Sequence, residues 1–401
     1  MHDFVQHIKR NVWPIVICGA GIIVLGAISG GLSGGIVAKR MFPASPSGQG
    51  FTVQSSTSTA NQRTPQVATT TPSSIKLVPV QLVDASTRSV PESIFTRRSP
   101  VGIIYLHKKG LPLEGLLGQN DQVGSLVAVT SDGWFVTASS AIKDFRTADL
   151  LVWYDGKAYR VEKAILDHAT QAVFLKTSAK DLPATPFADI WADRSGIAAW
   201  LEPAPEEYVP SSIIALRASV QAEPLLSERA ERRLIALGSL QKNERGAAFW
   251  DAKGALIGIA ETTSDGRIQI IPGSNLAASL QSLVQQNEIR HASLGVYVLD
   301  RQAIRSMSSD ASMPNRGAWV KEDKRTGRAI IKDSAAEKAG LKSNDVILQI
   351  DRDIMDNSLD LSDAIMQYRP NSSVTLRVWR SGKELDIATV LGSQVTSELL
   401  P

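Results

Sequence analysis

The chain has a single cysteine, Cys18, which excludes an intrachain disulfide and a thiolate-built zinc site. Histidine is nearly as scarce. There are five (His2, His7, His107, His168 and His291), none at the HxH or HxxxH spacing of a histidine metal centre. Charge of one sign is not in excess either: 43 basic residues face 40 acidic ones, a net of +3. That balance gives no support to a nucleic-acid partner, whose binders carry a basic stripe or patch. Cofactor motifs fail as well. Cys18-Gly19-Ala20-Gly21 opens like a dinucleotide loop, but Val24 stands at its third glycine. No acidic residue lies between Asp3 and Asp84 to take a ribose. What is present is a 43% apolar chain of 401 residues, enough to bury the cores of two or three domains.

Charge is absent altogether from Asn11 to Ala38. As a helix rising ~1.5 Å per residue this stretch crosses a ~30 Å hydrocarbon core. We read 11–38 as a retained single-pass transmembrane helix behind a short tail, 1–10. It is too long for a signal-peptide hydrophobic region and lacks an A-x-A-like site before Lys39. Gly26, Gly30, Gly34 and Ala38 form a small-residue seam suited to close helix approach. Gly31-Leu32-Ser33-Gly34-Gly35 matches G-x-S-x-G, but a nucleophile elbow needs a strand–turn–helix setting that a membrane span does not provide. From Pro43 to Ile75 the chain is mostly Ser, Thr, Pro, Gln and Asn, with Arg63 its only charge. Such a segment cannot offset its chain entropy by burial, so 39–95 is expected as a flexible tether.

From Val101 to Ile271 short β-branched and aromatic runs alternate with turn chemistry such as Ser131-Asp132-Gly133, Asp155-Gly156 and Asp265-Gly266. Strands without regular intervening helices predict a sandwich or a pair of barrels. Gly124-Ser125-Leu126-Val127-Ala128-Val129 followed by Gly133-Trp134-Phe135-Val136-Thr137, then Gly254-Ala255-Leu256-Ile257-Gly258-Ile259 and Ile271-Pro272-Gly273-Ser274-Asn275, resemble in order and spacing the HtrA-type (Deg) serine proteases. The resemblance implies a mostly β, chymotrypsin-like double β-barrel over 96–286.

It also implies a triad, and the matching positions do not carry one. Where the family has T-N-N-H-V-V, this chain reads Thr137-Ala138-Ser139-Ser140-Ala141-Ile142, with Ser140 at the base position. Gln171 stands at the orienting carboxylate in Asp167-His168-Ala169-Thr170-Gln171-Ala172. Arg245 stands at the nucleophile in Asn243-Glu244-Arg245-Gly246-Ala247. A hydroxyl is too weak a base, an amide cannot compensate an imidazolium, and a guanidinium cannot attack a carbonyl. Asp167 and His168, neighbours on an extended segment, point to opposite faces and make no dyad. Glu244 and Arg245 read as a solvated pair. The chain is thus expected as a degenerate member, a pseudoprotease, with no catalytic residues.

Ser334-Ala335-Ala336-Glu337-Lys338-Ala339-Gly340-Leu341 and Asn344-Asp345-Val346-Ile347 resemble the core of PDZ domains, an α+β partly open barrel expected over 287–392 with a tail, 393–401. Asn344 replaces the usual glycine, a position where asparagine tolerates a left-handed backbone. A PDZ domain adds an extended peptide to a sheet edge and holds its carboxylate on backbone N–H groups. The resemblance places the carboxylate loop at Ser293, Leu294, Gly295 and Val296, and the pairing strand at Tyr297, Val298 and Leu299. Leu361 and Ile365, four apart on a helix from about Leu359 to Tyr368, supply the other wall. The alternative is that these apolar residues are plain core and the groove is shut.

The leading expectation is a protein of the bacterial inner membrane with its globular domains outside the cytoplasm. It would bind peptide C-termini or unfolded envelope proteins as a scaffold or regulator, with no cofactor and no metal. The resemblance implies a homotrimer. The alternatives are an active HtrA-type endopeptidase in protein quality control, and a structural subunit of a membrane complex.

Overall fold

Alternation of apolar and polar residues along short strands sets the architecture. In the strand Ser373–Arg380, Val374, Leu376 and Val378 turn inward while Ser373, Thr375 and Arg377 face water, the period of two that one buried face demands. The computed structural model describes residues 90–107, 117–188, 196–215, 223–230, 232–300, 313–356 and 359–401. The expected anchor at 11–38 lies outside the described residues. Among them no helix is long and apolar enough to cross a membrane.

The fold is mostly β. An eight-stranded antiparallel sheet runs in the spatial order Ser397–Leu399, Lys163–Asp167, Ala172–Lys176, Trp134–Ala138, Gln122–Ala128, Val101–Leu106, Leu150–Tyr154 and Lys157–Arg160. Leu234–Leu237, Arg267–Pro272, Leu256–Ser264, Ala248–Trp250, Ile197–Glu202 and Val209–Ala215 close into a six-stranded barrel. The central strands are buried on both faces because each feeds two cores. Phe135 packs inside the first sheet with Leu126 and Leu150. Its neighbours Trp134 and Val136 pack with Trp250 and Ile259 between sheet and barrel. Phe249 does the same on the barrel side. Each such side chain contributes roughly 1.5–3 kcal/mol relative to exposure. The Asp-Gly turns hold as expected: Asp155 and Gly156 have φ of 50° and 72°, Asp265 and Gly266 50° and 69°, the left-handed pair of a two-residue hairpin.

The helix Gly273–Gln286 follows the barrel, burying Leu276, Leu280 and Leu283 along one stripe. It ends where Asn287 turns left-handed at φ 58°. A second sheet, Tyr297–Asp300, Ala318–Val320, Val346–Ile350, Ser373–Arg380 and Lys383–Val390, surrounds its own core of Leu294, Val296, Ile347, Leu361, Ile365 and Leu376. Asn344 takes φ 71°. The groove helix is shorter than expected, Leu361–Met366. Asp360 caps it by accepting the Asp363 N–H, and the tighter bonds from Gln367 and Tyr368 back to Ala364 and Ile365 end it ahead of Pro370.

The described residues fall within one compact unit spanning 82–401, and the chain crosses between its parts more often than the sequence foretold. Residues 393–401, expected as a tail, form strands. Gly392–Val395 pairs with Arg290–Ser293, and Ser397–Leu399 extends the first sheet beside Lys163–Asp167. In the other direction Leu225–Leu226, which sits between barrel strands in sequence, pairs with Tyr297 and Val298 at the edge of the second sheet.

Candidate functional site

Two places gather the candidate functional residues: the barrel positions Ser140, Gln171 and Arg245, and the loop from Ser293 to Val296. Ser140 sits on the short helical turn Ser139–Ile142 that follows the strand Trp134–Ala138. Its hydroxyl donates to the Glu261 carbonyl at 2.5 Å. Arg245 arrives from the opposite side, after the turn Lys242–Glu244, and its Nη1 donates to the Ser140 carbonyl at 3.0 Å. Gln171 occupies a left-handed turn, φ 67°. It is tied to the same region through Ser139, whose hydroxyl donates to its Oε1 at 3.4 Å. The structure therefore brings the three positions into one half-buried cluster. Glu244 and Arg245, expected as a mutual pair, part company: Glu244 Oε2 accepts the Gln241 N–H at 2.7 Å. Gly246 follows at φ 88°, where a Cβ would lie 2.1 Å from the Ser125 carbonyl oxygen, so only glycine fits. Its N–H is spent on the Ala260 carbonyl.

Asp167 and His168 do point apart. His168 pairs with Glu398 on the surface at 2.6 Å. Asp167 is fully buried and its Oδ2 lies 3.0 Å from His291 Nε2. The same oxygen accepts the Ser279 hydroxyl at 2.7 Å. Serine and histidine both bond the carboxylate and neither relays a proton to the other, so the grouping is not a triad arrangement. Thr170 and Thr396 hydroxyls and the Ala169 N–H complete it. Burial pushes the Asp167 carboxyl up, but hydrogen bonds from His291, Thr396 and Ser279 and the nearby His291 charge outweigh it and hold it below the ordinary range. This joint links the first sheet, the helix Gly273–Gln286 and the final strands. Asp167 and Thr170 lie in the stretch matched to the carboxylate motif, but nothing local signals Ser279, His291 and Thr396 as partners of Asp167.

Ser293 ends the strand Arg290–Ser293, and Leu294, Gly295 and Val296 lead on into the strand Tyr297–Asp300. Gly295 turns the backbone at φ 80°, and a Cβ there would lie 2.3 Å from Ser334 Cβ. Leu294, Val296, Val298, Leu361 and Ile365 all belong to one buried cluster. The loop's amides are occupied by the chain itself. Glu228 Oε1 accepts the Leu294 N–H at 2.7 Å and the Gly295 N–H at 2.6 Å. It also accepts the Ser227 and Ser293 hydroxyls, each at 3.0 Å. Ser227 N–H donates to the Val296 carbonyl at 2.8 Å, continuing the antiparallel pairing of Leu225 with Val298 and Leu226 with Tyr297. Glu228 Oε2 is buried with no hydrogen-bond partner. Sequence reasoning missed this segment. Its only signal is a short apolar pair followed by Ser-Glu.

Beyond Ala230 the same chain carries Arg232, which bonds the buried Asp363 of the groove helix at 3.2 Å. Burial and the neighbouring Asp360 push the Asp363 carboxyl up, with Arg232 opposing them. Arg233 bonds Glu261 at 2.5 Å, the residue whose carbonyl takes the Ser140 hydroxyl. A cavity of about 830 Å³, lined by Ala277, Gln281, Met366, Tyr368 and Arg369 among others, contains neither the cluster nor the loop. Among the described residues no group of three His, Cys, Asp or Glu side chains is placed to hold a metal.

Residues 293–391 match the family model of the PDZ domain. The chain is 25% identical over 286 residues to a probable periplasmic serine endoprotease, DegP-like, of Marinomonas sp. (strain MWYL1), covering 68% of this chain and 58% of that protein. It is 25% identical over 278 residues to the periplasmic serine endoprotease DegP of Escherichia coli (strain K12), covering 66% of this chain and 56% of that one. The chain thus spans a little over half the length of these curated relatives. Among solved structures, the HtrA-type protease AlgW with decapeptide superposes with a TM-score of 0.51 at 20% identity, over 75% of this chain and 97% of that one. That is a likeness of fold.

Proposed function

We propose that this chain, a PDZ-bearing homologue of the HtrA-type serine endoproteases, binds peptide C-termini or partly unfolded proteins outside the cytoplasm and does not cut them. Arg245 carries the reading. Its permanently charged guanidinium stands at the nucleophile position and bonds the carbonyl of Ser140, the residue at the base position. The Ser140 hydroxyl is itself used as a donor to Glu261, and Gln171 offers no negative charge to support an imidazolium. The extracytoplasmic placement draws on the relatives, which are periplasmic endoproteases by name, and on the tether's composition. The anchor at 11–38 and a homotrimer belong to the same reading.

The test is incubation of the full chain with unfolded casein and a fluorophosphonate probe, beside an Arg245→Ser variant. Neither protein is expected to cut casein or take the label. Cleavage by the unmodified chain that tracks with labelling would restore the endopeptidase reading. The self-filled loop at Glu228 favours one further reading, a structural subunit whose second domain never meets an external peptide. Such a subunit would co-purify with one partner at fixed stoichiometry, whereas a peptide binder would return a mixed population.

A further inference from the structure

The segment Leu225–Glu228 reproduces the main-chain and carboxylate contacts an incoming peptide would make at this site. It runs antiparallel to the edge strand at Val298 and Tyr297. Ser227 bonds the Val296 carbonyl as a last peptide residue would, and a carboxylate caps the Leu294 and Gly295 amides. The difference is that the carboxylate belongs to the side chain of Glu228 and not to a chain end. We infer that Leu225–Glu228 is an internal stand-in ligand. It keeps the PDZ groove closed, and a peptide with a free C-terminal carboxylate and an apolar last residue binds only by displacing it.

Two physical points support displacement over permanent closure. The mimic is incomplete, since Glu228 Oε2 is buried without a partner and an unsatisfied buried carboxylate oxygen is unfavourable. The strand is only two residues long and is extended by the single Ser227 bond to Val296, so little ladder must be broken to release it. The segment nevertheless competes well because it is tethered. An intramolecular occupant acts at an effective concentration on the order of millimolar, so even weak contacts exclude a peptide at micromolar levels. The apparent affinity for an external peptide is then its intrinsic affinity multiplied by the fraction of molecules with the segment released. Peptide chemistry follows from the loop and the core behind it: the loop amides demand a carboxylate, and the apolar core that includes Leu294, Val296, Leu361 and Ile365 suits an apolar last side chain. The inference rests on the peptide-binding reading above for its external ligand, but not for the closure itself.

The experiment uses the full chain, Glu228→Ala and, as a milder change of the same shape, Glu228→Gln. Two measurements are made on each: amide hydrogen exchange at Leu225–Ser227, Leu294 and Gly295, and anisotropy with fluorescein-labelled Glu-Pro-Leu-Leu-Val bearing either a free carboxylate or a C-terminal amide. In the unmodified chain the Leu294 and Gly295 amides should be protected. In Glu228→Ala that protection should fall, the free-carboxylate peptide should bind at least about tenfold tighter than to the unmodified chain, and the amidated peptide should gain nothing. Glu228→Gln should lie between. Equal protection and equal affinity in all three proteins would overturn the inference and leave peptide binding intact. Protection lost in Glu228→Ala with no peptide bound by any variant would uphold the closure and sink the external-peptide reading for this ligand class.

Discussion

Asp167 and Glu228 are both buried carboxylates that tie the PDZ domain to the rest of the chain, and they are built differently. Asp167 uses both oxygens: Oδ1 takes the Ala169 N–H and the Thr396 hydroxyl, while Oδ2 takes Thr170, Ser279 and His291. Glu228 crowds four donors onto Oε1 and leaves Oε2 bare. A carboxylate saturated on both sides, by partners from four separate segments, is a permanent joint. One satisfied on a single oxygen, at the end of a two-residue strand, is an occupant that a better carboxylate replaces. The same chemical group thus serves cohesion in one place and competition in the other.

The largest effect that sharpens this contrast is on stability. Asp167→Ala should lower unfolding free energy by about 3–5 kcal/mol, because it strands several buried donors at once. Glu228→Ala should lower it by only about 1–2 kcal/mol, since its donors regain water in an opened groove. Equal losses in urea unfolding would erase the distinction. Acid should act on the joint next. The Asp167 carboxyl is held low in the folded state, so its contribution is complete above the ordinary aspartate value of about 3.9. It is lost as pH falls through the depressed value. Asp167→Asn should therefore flatten the acid limb of a stability–pH curve; an unchanged limb would mean that another group dominates it. The smallest effect belongs to the neighbouring residue. His168 and Glu398 are each about half exposed, and His168→Ala should change stability by no more than about 0.5 kcal/mol. A larger loss in the same urea titration would show that the surface pair, not the buried one, holds the final strand.

Much of the architecture was legible from residues near one another in the chain. The Asp-Gly turns at 155–156 and 265–266, the left-handed Asn344 and the glycine turn at Gly295 all took the backbone conformations that their residue types favour. Flanking motifs match Ser140, Gln171 and Arg245 to the family's triad positions, and the structure sets them near one another. Other features escaped because nothing local encodes them. The groove helix was read too long, since Leu359 and Tyr368 extend its apolar stripe while the cap at Asp360 cuts it short. The last nine residues look like a tail until Ser397–Leu399 is set beside Lys163–Asp167.

The sequence by itself carried the mostly β character, the left-handed turns and the reading that sets Ser140, Gln171 and Arg245 at the positions matched to the family's triad. Each of these depends on residue type and spacing within a short window. Only the tertiary structure decided that Asp167 meets His291 and that Glu228 reaches the amides of Leu294 and Gly295, 66 and 67 residues away. A hydrogen bond needs its atoms within about 3 Å. Whether two distant segments come that close is set by how the intervening sheets pack, which no single stretch of chain contains.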